Sequence, residues 1–262
     1  IANTFTENAW NTTYVLAGHD SLTLTAAHSF PTGPWGDKST FNVVESDAVL
    51  TFSNATGNTG YPAGFYKTGA GTLALGSFTN PNTGLIEVQS GTLLANGSFD
   101  ASGMTVSSAA TVGGTGTIHL YGGTVTVNAG SPNGTLAPGD SVGILTVNGT
   151  VDLNGTLAIE IDGTGADKLV VSGLLDLDPS TSILNVTFIN GYTATGGATY
   201  DILDWTTLTG SFSQVNLQAL GGFYSWDSSS LLTDGTLTLS IPEPASVTLV
   251  LGLAGLALRR RR

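Results

Sequence analysis

Short runs of alternating aliphatic and polar residues recur along the chain from Lys67 onward. Each run opens on Gly-Thr, places Leu, Ile or Val at every second position, and ends at Asn-Gly or a similar turn; examples are GTLALG at 71–76, GTLLANG at 91–97, GTVDLNG at 149–155 and GTLAIEI at 155–161. A period of two is typical of β-strands with one buried face. Spacings of roughly six to twenty residues leave no room for crossover helices, so the pattern predicts an all-β repeat protein.

Two architectures fit this pattern. An antiparallel sandwich would use the Asn-Gly pairs as type I′ hairpin turns. A parallel β-helix would use them as left-handed corners between three short strands per coil. In either case Leu157, Ile159 and Ile161 are expected to point inward, and Thr156, Ala158 and Glu160 outward. The asparagines that precede glycine in this way are Asn96, Asn133, Asn148, Asn154 and Asn190.

Changes in composition divide the chain into four segments. Residues 1–66 are the least regular, and we interpret them as N-terminal strands and a cap in which aromatic residues cover the end of the stack. Residues 67–184 hold the repeats, 185–240 the last coils and a C-terminal cap, and 241–262 a separate tail. The aromatic residues near the two ends could instead stack on a sugar, so we treat them as candidate ligand contacts: Trp35, Tyr61 and Trp226.

The charge of the chain excludes one class of partner. Of 262 residues only 10% are charged, cysteine is absent, and the net charge is −12. Without the tail, three lysines (Lys38, Lys67 and Lys168) stand against 18 acidic residues, and no arginine precedes Arg259. Such a surface cannot neutralise a phosphate backbone, so nucleic acid is not expected as a partner. The lack of cysteine excludes disulfides and thiolate metal sites.

Candidate catalytic chemistry is sparse. Gly139-Asp140-Ser141 has the form of an esterase nucleophile block, but none of the three histidines follows an aspartate at the spacing that such enzymes need. Pectate-lyase-type chemistry lacks its basic residue. We therefore expect no catalytic residues and no enzyme activity.

Other side chains suggest weak binding sites. Asp162 and Asp167 flank a Gly-rich loop and are candidate calcium ligands, although the loop lacks a full ligand ladder. No other cofactor is expected. Threonine pairs such as Thr124 and Thr126 suggest an ice-binding face, but these pairs do not recur once in every repeat.

The last residues form a three-part tail. Pro242-Glu243-Pro244 is followed by an uncharged apolar stretch at 245–258 and by four arginines, Arg259, Arg260, Arg261 and Arg262. The tail resembles the PEP-CTERM sorting signal of Gram-negative bacteria. The resemblance implies recognition of Pro-Glu-Pro by an exosortase-type membrane protease, a short transmembrane helix of about 21 Å, and arginines that orient it at the cytoplasmic side.

The repeats carry a second resemblance. Residues 67–98 (KTGAGTLALGSFTNPNTGLIEVQSGTLLANGS) and the stretch from 134 to about 212 resemble β-strand repeats of autotransporter passenger domains. This resemblance implies a right-handed parallel β-helix, which we favour over the sandwich.

Together these features predict a non-enzymatic structural or adhesion protein. It would be exported with a signal peptide, held transiently in the inner membrane, cut, and released to the cell surface or to an exopolysaccharide matrix such as a biofilm. The alternative is an ice-binding or glycan-binding β-solenoid module.

Overall fold

A computed structural model describes residues 5–6, 13–30, 38–57, 64–79, 84–221 and 224–241. Within these ranges the regular elements are all strands, as the repeat pattern predicts. The strands are β1 (Phe5–Thr6), β2 (Thr13–Leu16), β3 (Leu22–Phe30), β4 (Ser39–Val43), β5 (Val49–Gly57), β6 (Phe65–Thr68), β7 (Thr72–Leu75), β8 (Phe78–Thr79), β9 (Leu85–Val88), β10 (Gly91–Ala95), β11 (Ser98–Ala101), β12 (Gly103–Val106), β13 (Ala110–Gly114), β14 (Thr117–Val127), β15 (Thr135–Pro138), β16 (Ile144–Leu153), β17 (Thr156–Ile161), β18 (Lys168–Leu177), β19 (Ile183–Phe188), β20 (Thr199–Asp201), β21 (Leu203–Gly210), β22 (Gln214–Leu217), β23 (Ser225–Asp227) and β24 (Thr236–Ser240).

Most of these strands form one sheet of 21 strands that is parallel except where β1 joins β2. The pairings fall into three ladders. Ladder A joins β2, β4, β6, β9 and β12 to the second halves of β14, β16, β18 and β21. Ladder B joins the first halves of β3 and β5 to β7, β10, β13, β15, β17, β19 and β22. Ladder C joins the second halves of β3 and β5 to β8, β11 and the first halves of β14, β16, β18 and β21.

The chain visits ladders A, B and C in turn, and we call each such circuit a coil. This order is consistent with a parallel β-helix and contradicts the antiparallel sandwich. No helix in the described ranges has the length and apolar character that crossing a bilayer requires. The predicted tail helix, at residues 245–258, lies outside the described residues.

The inward-facing side chains stack in register from coil to coil. On ladder B the stack consists of leucines and a valine: Leu50, Leu73, Leu93, Val112, Leu136, Leu157 and Leu184, all fully buried. Leu157, Ile159 and Ile161 point inward as their alternation predicts. Near the N-terminal coils the same interior holds aromatic rings, including the stacked pair Tyr14 and Phe41 at 4.9 Å. Burial of this continuous apolar column drives the fold.

The Asn-Gly turns differ from both predicted uses. Among the described residues only Asn190 of the five asparagines has a positive φ, 54°, so left-handed asparagines do not form the repeated corners. Two of the asparagine side chains instead accept hydrogen bonds from the backbone. Asn96 accepts the backbone N–H of Thr115 at 3.2 Å, and Asn133 accepts that of Gly130 at 2.8 Å. These bonds satisfy backbone donors at the bends between ladders.

A separate antiparallel sheet lies at the C-terminal end of the stack. It consists of β20, β24 and β23, and its Leu237 and Leu239 are buried in the same core as the coils. The predicted segment boundaries at 66/67 and 184/185 fall inside β6 and β19. The core therefore continues across both positions.

Candidate functional site

A groove of about 360 Å³ opens beside the C-terminal sheet, and we call it the aromatic groove. Aromatic rings and uncharged polar groups share its walls, and none of the described lining residues is charged. Its defining residues are Phe188, Tyr192, Thr193, Gln218, Leu220 and Tyr224. The volume lies within the range of small-ligand sites.

The rings of this groove are held by neighbours. Phe188 packs edge-on against Tyr192, with ring centroids 5.4 Å apart, and its ring is tilted by 46° against that of Trp226, with centroids 5.8 Å apart. The Tyr192 and Tyr200 hydroxyls share a hydrogen bond of 3.0 Å. Burial, followed by that hydrogen bond, raises the pKa of Tyr200, so its hydroxyl stays protonated at physiological pH.

Trp226 was predicted as a ligand contact, and the structure places it behind the groove. It is half-buried between Phe188 and Tyr200, and it is not among the described lining residues. Its indole N–H donates to the carbonyl of Gln218 at 2.9 Å. Trp226 therefore fixes the segment that carries Gln218. Among the described aromatic residues that line the groove, Tyr224 is the exposed one.

The other predicted site residues lie outside the described part of the chain: Trp35, Tyr61, Pro242-Glu243-Pro244 and Arg259–Arg262.

Ladder B carries a column of threonines, one from each of five successive coils; the first four are half-buried and the last, Thr156, is buried. Register pairs Thr72 with Thr92, and the column continues through Thr111 and Thr135 to Thr156. Neighbouring members are separated by the strand spacing of about 4.8 Å. Four members are the threonine of the recurring Gly-Thr-Leu motif, but Thr111 follows Ala110, and the steps along the chain are unequal, so the sequence pattern alone does not show that all five are in register. We call it the threonine column.

A second groove, of about 220 Å³, interrupts ladder B where β15 and β17 separate. These strands pair only at Thr135–Thr156 and Leu136–Leu157. Beyond that point the groove is lined by residues that include Ser141, Glu160 and Asp167. No histidine is among its described lining residues.

Asp167 is 1% exposed and bridges the two coils that border this gap. Its Oδ1 accepts the N–H of Gly143 and its Oδ2 accepts the N–H of Glu160, each at 2.8 Å. Burial raises the pKa of the Asp167 carboxyl to about 7, and the two backbone N–H bonds oppose the rise.

Asp162, the other candidate calcium ligand, is also engaged within the protein. Its Oδ1 accepts the N–H of Thr164 at 2.7 Å and the Thr164 hydroxyl at 2.6 Å, and its Oδ2 accepts from Asn190 at 3.1 Å. These bonds, that with the Thr164 hydroxyl first, lower the pKa of Asp162. Across the described residues no three His, Cys, Asp or Glu side chains form a metal-binding group.

The three lysines of the body all have partners inside the fold. Lys38 pairs with Glu87 and lies over the Tyr66 ring, with Nζ 4.8 Å from its centroid. Lys168 contacts Asp201 at 2.5 Å and Asp204 at 2.7 Å. Lys67 is fully buried.

The chain matches no model of a known protein family, and a search of curated proteins finds no match either. The two resemblances therefore rest on the quoted motifs alone.

Proposed function

We propose that this chain is the body of an exported, non-enzymatic structural or adhesion protein of a Gram-negative cell surface or exopolysaccharide matrix. The supporting observation is the in-register stacking of coil upon coil from β2 to β22. Such a stack is a stiff scaffold that presents the same side-chain columns along its length, which suits contact with polymers. The right-handed sense of the coils follows from the autotransporter resemblance.

The tail supplies the delivery step of this proposal. An exosortase-type protease would recognise Pro242-Glu243-Pro244 after residues 245–258 enter the inner membrane as a short helix. Arg259–Arg262 would hold the end of the chain at the cytoplasmic side. Cleavage would then free the coils for the surface or the matrix.

The test replaces the recognition motif in the native host. A Pro242→Ala, Pro244→Ala double variant is expected to remain in the inner-membrane fraction, while wild type and a Ser240→Ala control reach the matrix fraction. Release of the double variant at the wild-type level would contradict the proposal.

The threonine column favours a second candidate function, which is ice binding. Hydroxyl and methyl groups repeated at a strand spacing can order water in a lattice, and four successive coils supply half-buried threonines in register. Inhibition of ice recrystallisation by the purified chain, lost in Thr111→Tyr and retained in Thr126→Tyr on ladder A, would support it. Equal activity in the two variants, or none in wild type, would exclude this surface.

A further inference from the structure

The aromatic groove combines features that select one class of ligand. Its rings offer apolar faces that carry the negative part of the aromatic quadrupole. Tyr224 is 38% exposed, so its ring is open to a ligand. The ring is also positioned, because a Cβ added at Gly196 would lie 2.5 Å from Tyr224 Cε1.

Polar groups lie beside these rings. The side chain of Gln218 is half-buried at the groove, and it forms no hydrogen bond with the described residues. Thr193 adds an exposed hydroxyl. An amide offers both donors and an acceptor, which matches a ligand with hydroxyl groups at its edge.

The electrostatics of the groove favour a neutral ligand. The described lining of the groove contains no charge that could pair with an anion or a cation. The chain as a whole is acidic, with a net charge of −12, and would repel an anionic polymer.

We propose that the aromatic groove binds a neutral hexopyranose unit of a glycan. The axial C–H face of the sugar would pack on the Tyr224 ring, and Gln218 would hydrogen-bond its hydroxyls. Phe188, fixed by Tyr192 and Trp226, forms a rigid wall, so little ordering entropy is lost on binding. This inference deepens the proposed function, on which it rests for the choice of a glycan as partner.

The experiment titrates the full chain, in mild detergent, with cellohexaose, maltohexaose and an anionic oligogalacturonate. Calorimetry gives the Kd. At least one neutral oligosaccharide is expected to bind, and the anionic one is not. Tyr224→Ala and Gln218→Ala are each expected to weaken binding by about fivefold or more, as expected for loss of one ring contact or hydrogen bond.

The control variant is Tyr121→Ala, which removes a 64% exposed ring far along the chain and should leave the Kd unchanged. The proposal is overturned if no neutral oligosaccharide binds, if the anionic one binds more tightly, or if both groove variants bind like wild type. Circular dichroism of each variant verifies that the fold is retained. Delivery to the matrix is measured separately in the host, so failure of sugar binding and failure of the proposed function are distinguishable.

Discussion

Asp167 forms a two-point bridge with Glu160 that replaces a missing strand pairing. The Asp167 N–H donates to the Glu160 carbonyl at 2.8 Å, and the Asp167 Oδ2 accepts the Glu160 N–H at 2.8 Å. Glu160 needs this partner because β17 has no paired residue on the β15 side beyond Leu157. Where β15 and β17 separate, the Asp167 side chain therefore supplies the hydrogen bond that a paired strand would otherwise give to Glu160.

The first prediction concerns the pH dependence of stability. The folded pKa of Asp167 is raised to about 7 from an ordinary value of 3.8. Between these values the unfolded carboxyl is ionised while the folded one keeps its proton, so the free energy of unfolding falls as pH rises. In wild type we expect the free energy of unfolding to fall by on the order of 3 kcal/mol between pH 4 and 7. In Asp167→Asn we expect this decrease to be absent. Urea unfolding at a series of pH values measures both.

Asp140→Asn provides the matched control, because Asp140 is an exposed aspartate that borders the same groove. It should keep the wild-type pH slope. Equal slopes in wild type and Asp167→Asn would show that Asp167 does not titrate in this range.

The second prediction concerns the buried charge at Lys67. Its Nζ donates to the carbonyls of Thr68 at 2.8 Å, Gly69 at 2.9 Å and Ser90 at 3.0 Å. Lys67→Met keeps the length of the side chain but leaves these carbonyls without that donor. We expect a loss of about 2–4 kcal/mol in the free energy of unfolding.

Lys67 also has a pH signature. Burial lowers the pKa of Lys67 from 10.5 to about 8. The unfolded chain therefore holds a proton that the folded chain has released, and wild-type stability should rise between pH 8 and 10. Lys38→Met, which removes a partly exposed ion pair, should cost less than about 1 kcal/mol. A Lys67→Met variant as stable as wild type would contradict this account.

The third prediction concerns Gly91, at the same corner. Its φ is +67°, and an added Cβ would lie 2.4 Å from the carbonyl oxygens of both Gly69 and Gly71. Gly91→Ala combines backbone strain with a clash against rigid backbone, and we expect a loss of at least about 3 kcal/mol in thermal or urea unfolding.

Gly122→Ala separates the two causes. Gly122 has a φ of +83°, but nothing lies within 4 Å of its added Cβ, so only the strain remains. Its expected cost is about 1–2 kcal/mol. Equal losses in the two variants would mean that the close approach of neighbouring coils at Gly91 is absent.

The sequence predicts which face of each strand is buried better than it predicts which residues pair between neighbouring coils. Alternation was sufficient to place Leu157 and Ile159 inward, because the period of two is local. The threonine column could not be predicted, because its register depends on loops of unequal length between coils.

The two ionisable groups in the interior, Lys67 and Asp167, show a different limit. Alternation puts Lys67 on the same side as the buried Phe65, yet the cost of burying a charge argues against that position. Hydrogen bonds from Lys67 to three backbone carbonyls offset that cost, and no local sequence pattern predicts these bonds. The sequence likewise predicts Asp167 as a candidate calcium ligand, and the structure shows that its two carboxyl oxygens accept the backbone N–H groups of Gly143 and Glu160.

The most direct test of the central claim is the intact mass of the chain recovered from the outer surface or medium of its native host. The account predicts a chain that ends near Pro242 and lacks Arg259–Arg262. A full-length chain that remains in the inner membrane would contradict delivery to the surface.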